Sequence, residues 1–247
     1  VSTNAQPVEP PRRLADRPWP GVGRPVVVLP LGSTEQHGPH LPLDTDTVIA
    51  TAVARGVADR IAATGADVVV APSMSYGASG EHEQFAGTVS LGREALEHLL
   101  VEYGRSACRW AGRLVIVNGH GGNVEALRNA VQRLVSEGRD VSWALCWPDD
   151  ATAAPTLDAH AGRVETSLML HLEPARVLID RAEPGNVTPL NELLPTLRRS
   201  GVAAVAPNGV LGDPRGASAA EGARLLQAMI DTVWRHLARQ GTPHAPT

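Results

Sequence analysis

Four short apolar runs, Val26–Leu31, Val68–Pro72, Leu114–Asn118 and Val141–Trp147, alternate with segments whose apolar residues recur at helical spacing. Runs of this length read as strands buried on both faces, and such strands occur in parallel sheets covered by helices. The intervening stripes are Val48, Ile49, Ala52, Val53, Val57 and Ile61, then Leu96 to Trp110, then Val124, Leu127, Val131 and Leu134. Alternation of strand and amphipathic helix predicts a three-layer α/β/α sandwich with a mostly parallel central sheet. Val202–Ala206 reads as a last strand, residues 180–200 as a connection, and Ser218 with Glu221 as a capping box opening a final helix.

The chain divides into a Pro-rich arm at 1–25, a single domain at 26–240 and a frayed tail at 241–247. Six prolines in the arm resist helix, and Trp19 is the residue able to anchor its end on the body or on a second subunit. A net charge of −4 argues against a nucleic-acid partner. No run approaches a membrane span and no signal peptide is visible, so no membrane partner is expected. Cys108 and Cys146 fit buried thiols in a reducing cytosol, which makes the expected location cytoplasmic.

The first strand runs into GSTEQHGPHLPLDTD, which carries Glu35, His37, His40, Asp44 and Asp46 before a helix near Thr47. Sites in open parallel sheets lie where strands end and helices begin. In extended backbone Glu35 and His37 point to the same side. Carboxylates with imidazoles suit Zn, Fe or Mn better than Ca or Mg. The third strand ends in NGHGGN, a tight glycine turn that presents His120. Glu165 opens the helix near Gly162 on the same stripe as Leu168, Met169 and Leu172, so this inward carboxylate needs a partner or a metal. A solvated loop, a structural histidine and a carboxylate satisfied by backbone N–H groups are the respective alternatives. Three carboxylates and two imidazoles suit two divalent ions, with Asp46 bridging, and such a pair activates water and polarises a carbonyl. A single-zinc site with donors to spare is the other arrangement.

The segments GSTEQHGPHLPLDTD, SGEHEQFAGTVSL, NGHGGN, HAGRVETS and GVLGDP, spread over residues 32–214, resemble the creatininase family. That resemblance implies two divalent metal ions per chain, Fe2+ or Zn2+ or both, with Mn2+ also accepted. One ion would take Glu35, Asp46 and His120, the other His37, Asp46 and an acid. Creatininase itself carries that acid two positions after the histidine, where this chain has Gly122, so Glu165 is the replacement. The HAGRVETS variant narrows the likeness to a peptidase branch. This implies a modified precursor peptide as substrate, release of its C-terminal Val-Tyr dipeptide by attack of a metal-activated hydroxide, and a homo-oligomer. An amidohydrolase acting on a small cyclic amide or formamide is the alternative. His160 is the expected proton shuttle, or else a helix-start cap. Ser79, Glu81 and His82 are expected at the substrate wall. Arg163, where many members have glutamate, either binds a substrate carboxylate or pairs with a nearby acid.

Overall fold

The computed structural model describes residues 12–148 and 158–240. Four strands, β1 (Val26–Leu31), β2 (Val68–Val70), β3 (Arg113–Asn118) and β4 (Val141–Leu145), pair in parallel in the order β2-β1-β3-β4. Every residue of β1 and β3 is buried, because helices cover both faces of the sheet. Alternation along the strands divides the core. Val26, Val28, Val115 and Val117 pack against α1 (Thr45–Ala63), α4 (Arg163–Leu172) and α6 (Ala219–Arg239). Val27, Leu29, Leu31, Leu114 and Ile116 pack against α2 (Arg93–Ala107) and α3 (Val124–Ser136). The result is a three-layer α/β/α fold around an all-parallel sheet.

Two local expectations are corrected. Val202–Ala206 is not a strand; Val202–Ala204 forms a 3-10 turn. Val202 and Ala206 are apolar because they cover Leu193 and Leu197, not because they join the sheet. Those two leucines belong to α5 (Leu190–Ser200), a helix inside the region read as a connection. Pro195 within it hides the helical pattern, since proline disfavours helix interiors.

Helix α6 keeps half of its capping box: Ser218 Oγ accepts the Glu221 N–H at 3.2 Å, while the Glu221 carboxylate turns to Arg163 and Ser167 on α4. The described part of the arm is tied along β2, with Val70 N–H bonded to Arg12 O at 2.8 Å and Arg17 paired with Asp67. Trp19 is 86% exposed on this chain. Residues 1–11 of the arm, 149–157 of the loop before α4 and the 241–247 tail lie outside the described residues. Among the described residues, no helix is long and apolar enough to cross a membrane. Cys108 and Cys146 are free thiols, Cys146 fully inside the core.

Ile116 is fully buried at the centre of the sheet, in register with Leu29 on one side and Trp143 on the other. Ile116→Ala is expected to destabilise the fold by roughly 2–5 kcal/mol through lost burial and a residual cavity. Urea unfolding should show a lower midpoint with an unchanged slope.

Candidate metal centre

The chain leaves β1 for β2 on one side and reaches β4 from β3 on the other. The strand order therefore reverses between the carboxyl ends of β1 and β3, the place where α/β sheets open a crevice. Leu31 and Asn118 are paired there, and Gly119 N–H donates to Leu31 O at 2.8 Å. The loop after β1 carries Glu35 and His37. Asp46 sits in the first turn of α1, which begins two residues before the expected Thr47. His120 follows β3, and Glu165 sits in the first turn of α4.

The glycines and asparagines of NGHGGN have specific work. A Cβ on Gly119 would stand 2.5 Å from Asp46 O, so only glycine lets this turn lie against α1. Asn123 Nδ2 donates to Gly32 O at 3.0 Å and to Asn118 Oδ1 at 3.1 Å, while its Oδ1 accepts Ala78 N–H at 2.8 Å. Three loops are thereby fixed to one another. At Gly122 a Cβ would stand 2.3 Å from Ala78 O, 2.4 Å from His120 Nε2 and 2.7 Å from Glu81 Oε1. No side chain fits there unless the surrounding loops move.

Among the described residues the structure brings the donors together as three overlapping triads, Glu35–Asp46–His120, His37–Asp46–Glu165 and Glu35–His37–His160, each with ligand atoms within 4.8 Å of one another. Asp46 is common to the first two. Its Oδ1 lies 3.1 Å from His37 Nε2, and its Oδ2 lies 3.2 Å from His120 Nδ1 and accepts Ser33 Oγ–H at 2.7 Å. Glu165 Oε2 is 3.9 Å from His37 Nε2 and accepts Ala161 N–H at 2.6 Å. That N–H is aimed by Ala161 itself, whose φ of 52° is a left-handed conformation rare outside glycine. His37 Nδ1 lies 3.1 Å from Glu35 O and His120 Nε2 lies 3.2 Å from Ala78 O. As donors to these carbonyls, both rings leave the opposite nitrogen free for the centre.

Glu35 supplies the test of whether these residues fit a cation. It is fully buried and neither carboxylate oxygen receives a hydrogen bond. Around Oε1 stand His120 Nδ1 at 3.2 Å, His82 Nε2 at 3.4 Å and His160 Nδ1 at 3.8 Å. An ionised carboxylate in that position needs positive charge beside it. The donor set, carboxylate and imidazole with shared Asp46, fits divalent Zn, Fe or Mn.

Without such ions the histidines carry the compensating charge. Burial works against the His37 imidazolium, but Asp46, then Glu165 and Glu35, overcome it and push its pKa up to about 10. For His120, burial is likewise outweighed, here by Glu35 and Asp46, and its pKa is held well above the usual value. Glu35 shows the converse: burial and Asp46 would raise it, yet His120 and His82 bring it down to about 2. Burial lifts Glu165 to about 7 despite His37. His82 is pushed down to about 4 and His160 well below its usual value, both chiefly by burial.

His160 stands between His37 and His82, with ring centroids 4.4 Å from each. Its backbone is bridged to Leu211, which explains the distant GVLGDP segment. Ser79 is fully buried with an unpartnered hydroxyl, and Glu81 Oε1 lies 3.7 Å from His120 Nε2. Burial raises the Glu81 pKa. Arg163 is turned to α6, where its Nε donates to both oxygens of Glu221 at 3.0 and 2.8 Å. His40 Nε2 is 2.9 Å from Thr166 Oγ1, beside Glu165, whereas Asp44 faces outward and pairs with Arg176. Two contributors were not singled out from the sequence. Asp158 Oδ2 accepts Val164 N–H at the start of α4, and its pKa is pushed up to about 6 by burial. Gln36 lies between the two donors of the first loop and faces His82 and His160.

A parallel α/β fold with buried carboxylates and imidazoles at its switch point is the frame of a metal-dependent hydrolase. A family model described as creatinine amidohydrolase matches residues 21–237, and the chain belongs to the creatininase family. It is 58% identical over 219 residues to the mycofactocin precursor peptide peptidase of Mycobacterium ulcerans, covering 87% of this chain and 85% of that protein. The peptidase of the same name from Mycolicibacterium smegmatis is 58% identical over 208 residues, covering 84% and 82%. Creatinine amidohydrolase of Pseudomonas putida is 30% identical over 234 residues, covering 84% and 86%. Among solved structures, a creatinine amidohydrolase (creatininase) superposes with TM-score 0.76 at 28% identity, covering 96% of this chain and 99% of that one. Creatininase structures described as Zn-Zn type and as Mn each give TM-score 0.75 at 28% identity, covering 93% and 94% of this chain and 98% and 99% of theirs.

Metal loading at pH 7 is expected to release about two protons, one from each of His37 and His120, plus the fraction held by Glu165. Apparent affinity should therefore rise with pH, and calorimetric heats should vary with the ionisation enthalpy of the buffer. In metal-free protein the His37 contribution to stability is present below its ordinary value of 6.5 and is lost as pH rises through about 10. Buffer-independent heats would contradict this account.

Proposed function

We propose that this chain is a metal-dependent peptidase that matures a mycofactocin precursor peptide, hydrolysing one amide bond to release the modified C-terminal Val-Tyr dipeptide. The observation that carries the reading is the unpartnered Glu35 carboxylate between donor triads that share Asp46, in a chain 58% identical to peptidases of that precursor. Glu35, Asp46 and His120 would hold one divalent ion, and His37, Asp46 and Glu165 the other. Such ions supply Lewis-acid polarisation of the carbonyl and lower the pKa of a nearby water.

The chain's own groups do the rest. Ser33 fixes one oxygen of Asp46, and the Glu35 and Ala78 carbonyls hold the two ligand rings. His160 is the imidazole this reading assigns to the proton transfer, and burial, which disfavours its charged form, would make it pass the proton on rather than keep it. As the water oxygen bonds to the amide carbon, one water proton passes to His160. The same proton moves to the amine nitrogen as the C–N bond breaks. His82 stands against Glu35 and Glu81 against His120, and with Ser79 they are the groups this reading assigns to the substrate backbone. Binding of a substrate carboxylate by Arg163 would require sharing its guanidinium with Glu221.

A second reading, hydrolysis of a small cyclic amide, is favoured by the likeness to creatinine amidohydrolase. The two are separated by incubating metal-loaded protein with the modified precursor peptide and, separately, with creatinine, followed by mass spectrometry. The expected result is release of the C-terminal fragment with creatinine untouched, and loss of activity by about 10²-fold or more in Glu35→Ala and Glu165→Ala. Turnover of creatinine with an intact peptide would replace the peptidase reading by the second.

A further inference from the structure

Helix α4 begins without a capping side chain of its own. Its N-cap is Gly162, and glycine has no side chain to offer the N–H groups that a helix start leaves open. Glu165, the third residue of the helix, stands where a capping box would place an acid that folds back on the backbone. Among the described residues it takes one hydrogen bond, from Ala161 N–H. The open groups are served from outside the helix instead. Buried Asp158 accepts Val164 N–H on Oδ2 at 2.5 Å, and the Arg163 N–H faces the same carboxylate.

The turn is built around that carboxylate. A Cβ at Gly162 would stand 1.5 Å from Asp158 Oδ1, and one at Gly212 would stand 2.5 Å from the same atom. Ala159 N–H and His160 N–H both donate to Leu211 O, and Leu211 N–H returns to His160 O. The segment from Asp158 to Glu165 is thus closed on itself twice, by Asp158 on the first turn of α4 and by Glu165 on Ala161. Glu165 belongs to one of the two donor triads that share Asp46, and none of Glu35, Asp46 and His120 lies in this segment. Displacing the turn therefore acts on one half of the centre.

We propose that Asp158 is a positioning residue for Glu165. It takes over the capping of α4 and holds the turn that sets the Glu165 carboxylate beside His37 and Asp46. The proposal rests on the two-ion reading above and names the group on which retention of an ion by His37, Asp46 and Glu165 would depend.

The test is zinc titration of metal-free protein against a chromophoric chelator, with bound zinc counted by elemental analysis; it needs no substrate. The wild type should hold two zinc ions per chain. Asp158→Ala should keep one within about threefold of its wild-type affinity and bind the other about 10–100-fold more weakly, as Glu165→Ala should. Asp158→Asn, which keeps an acceptor oxygen, should hold both within about threefold. Gly162→Ala, whose Cβ would displace the Asp158 carboxylate, should reproduce the selective loss and decides the matter if Asp158→Ala does not fold. Ile116→Ala, which weakens the fold from the centre of the sheet, should hold both ions. Equal weakening of the two ions, no weakening of either, or the same selective loss in Ile116→Ala would overturn the proposal. A wild type that binds a single zinc would remove the two-ion reading; Asp158→Ala must then weaken that ion as much as Glu165→Ala does, or the proposal falls with it. Selective loss of one zinc in a protein that leaves the precursor peptide intact would remove the peptidase reading and leave the role of Asp158 standing.

Discussion

Three carboxylates share one buried pocket, and the rest of the molecule is arranged around what that demands. Glu35 and Asp46 come from the loop after β1 and the first turn of α1, Glu165 from α4, and like charges at such separations cannot all ionise in a low-dielectric interior unaided. The chain answers with imidazoles on every side. His37 and His120 lie against the carboxylate oxygens, and His82 and His160 complete the ring around Glu35. Divalent cations would satisfy the same electrostatic demand, with the imidazoles then serving as neutral ligands. Protons and metal ions compete for one set of lone pairs.

The scaffold makes this concentration of charge tolerable. Asp46 and Glu165 each occupy the first turn of a helix, where the exposed N–H groups and the helix dipole favour a carboxylate. Both helices start at the same edge of the sheet because all four strands run in one direction. The β1 and β3 loops meet at the reversal of strand order, and Asn118 and Asn123 bind them through side-chain amides. Helix α4 is secured at its first turn by Asp158, Ala161 and the Arg163–Glu221–Ser167 cluster on α6. Rigid elements thus hold donors whose mutual repulsion would otherwise spread them.

Much of this is legible in the sequence. The strands show as unbroken apolar runs because both their faces are buried, and the donors show because charged residues directly after such runs have few other reasons to be there. The parts that escape do so for physical reasons. Leu193 and Leu197 form a helical pair around a proline, which masks α5. Val202–Ala206 imitates a strand because burial against α5 selects the same residues as burial in a sheet. Gln36 has no spacing signature: its partners His160 and Gly209 are 124 and 173 residues away, and only the closed fold brings them within reach. Strict alternation does hint at it, since a residue between two inward donors faces the opposite way.

The crowding at Gly122 ties the β3 turn to the loop that carries Ala78 and Glu81. A side chain at that position meets the Ala78 carbonyl, the His120 ring and the Glu81 carboxylate at once. In this loop arrangement a single substitution cannot set an acid two residues after His120. A side chain at 122 would require the Ala78–Glu81 loop to withdraw. What residue 122 can be is thus decided by a loop more than forty residues earlier in the chain, not by its own turn.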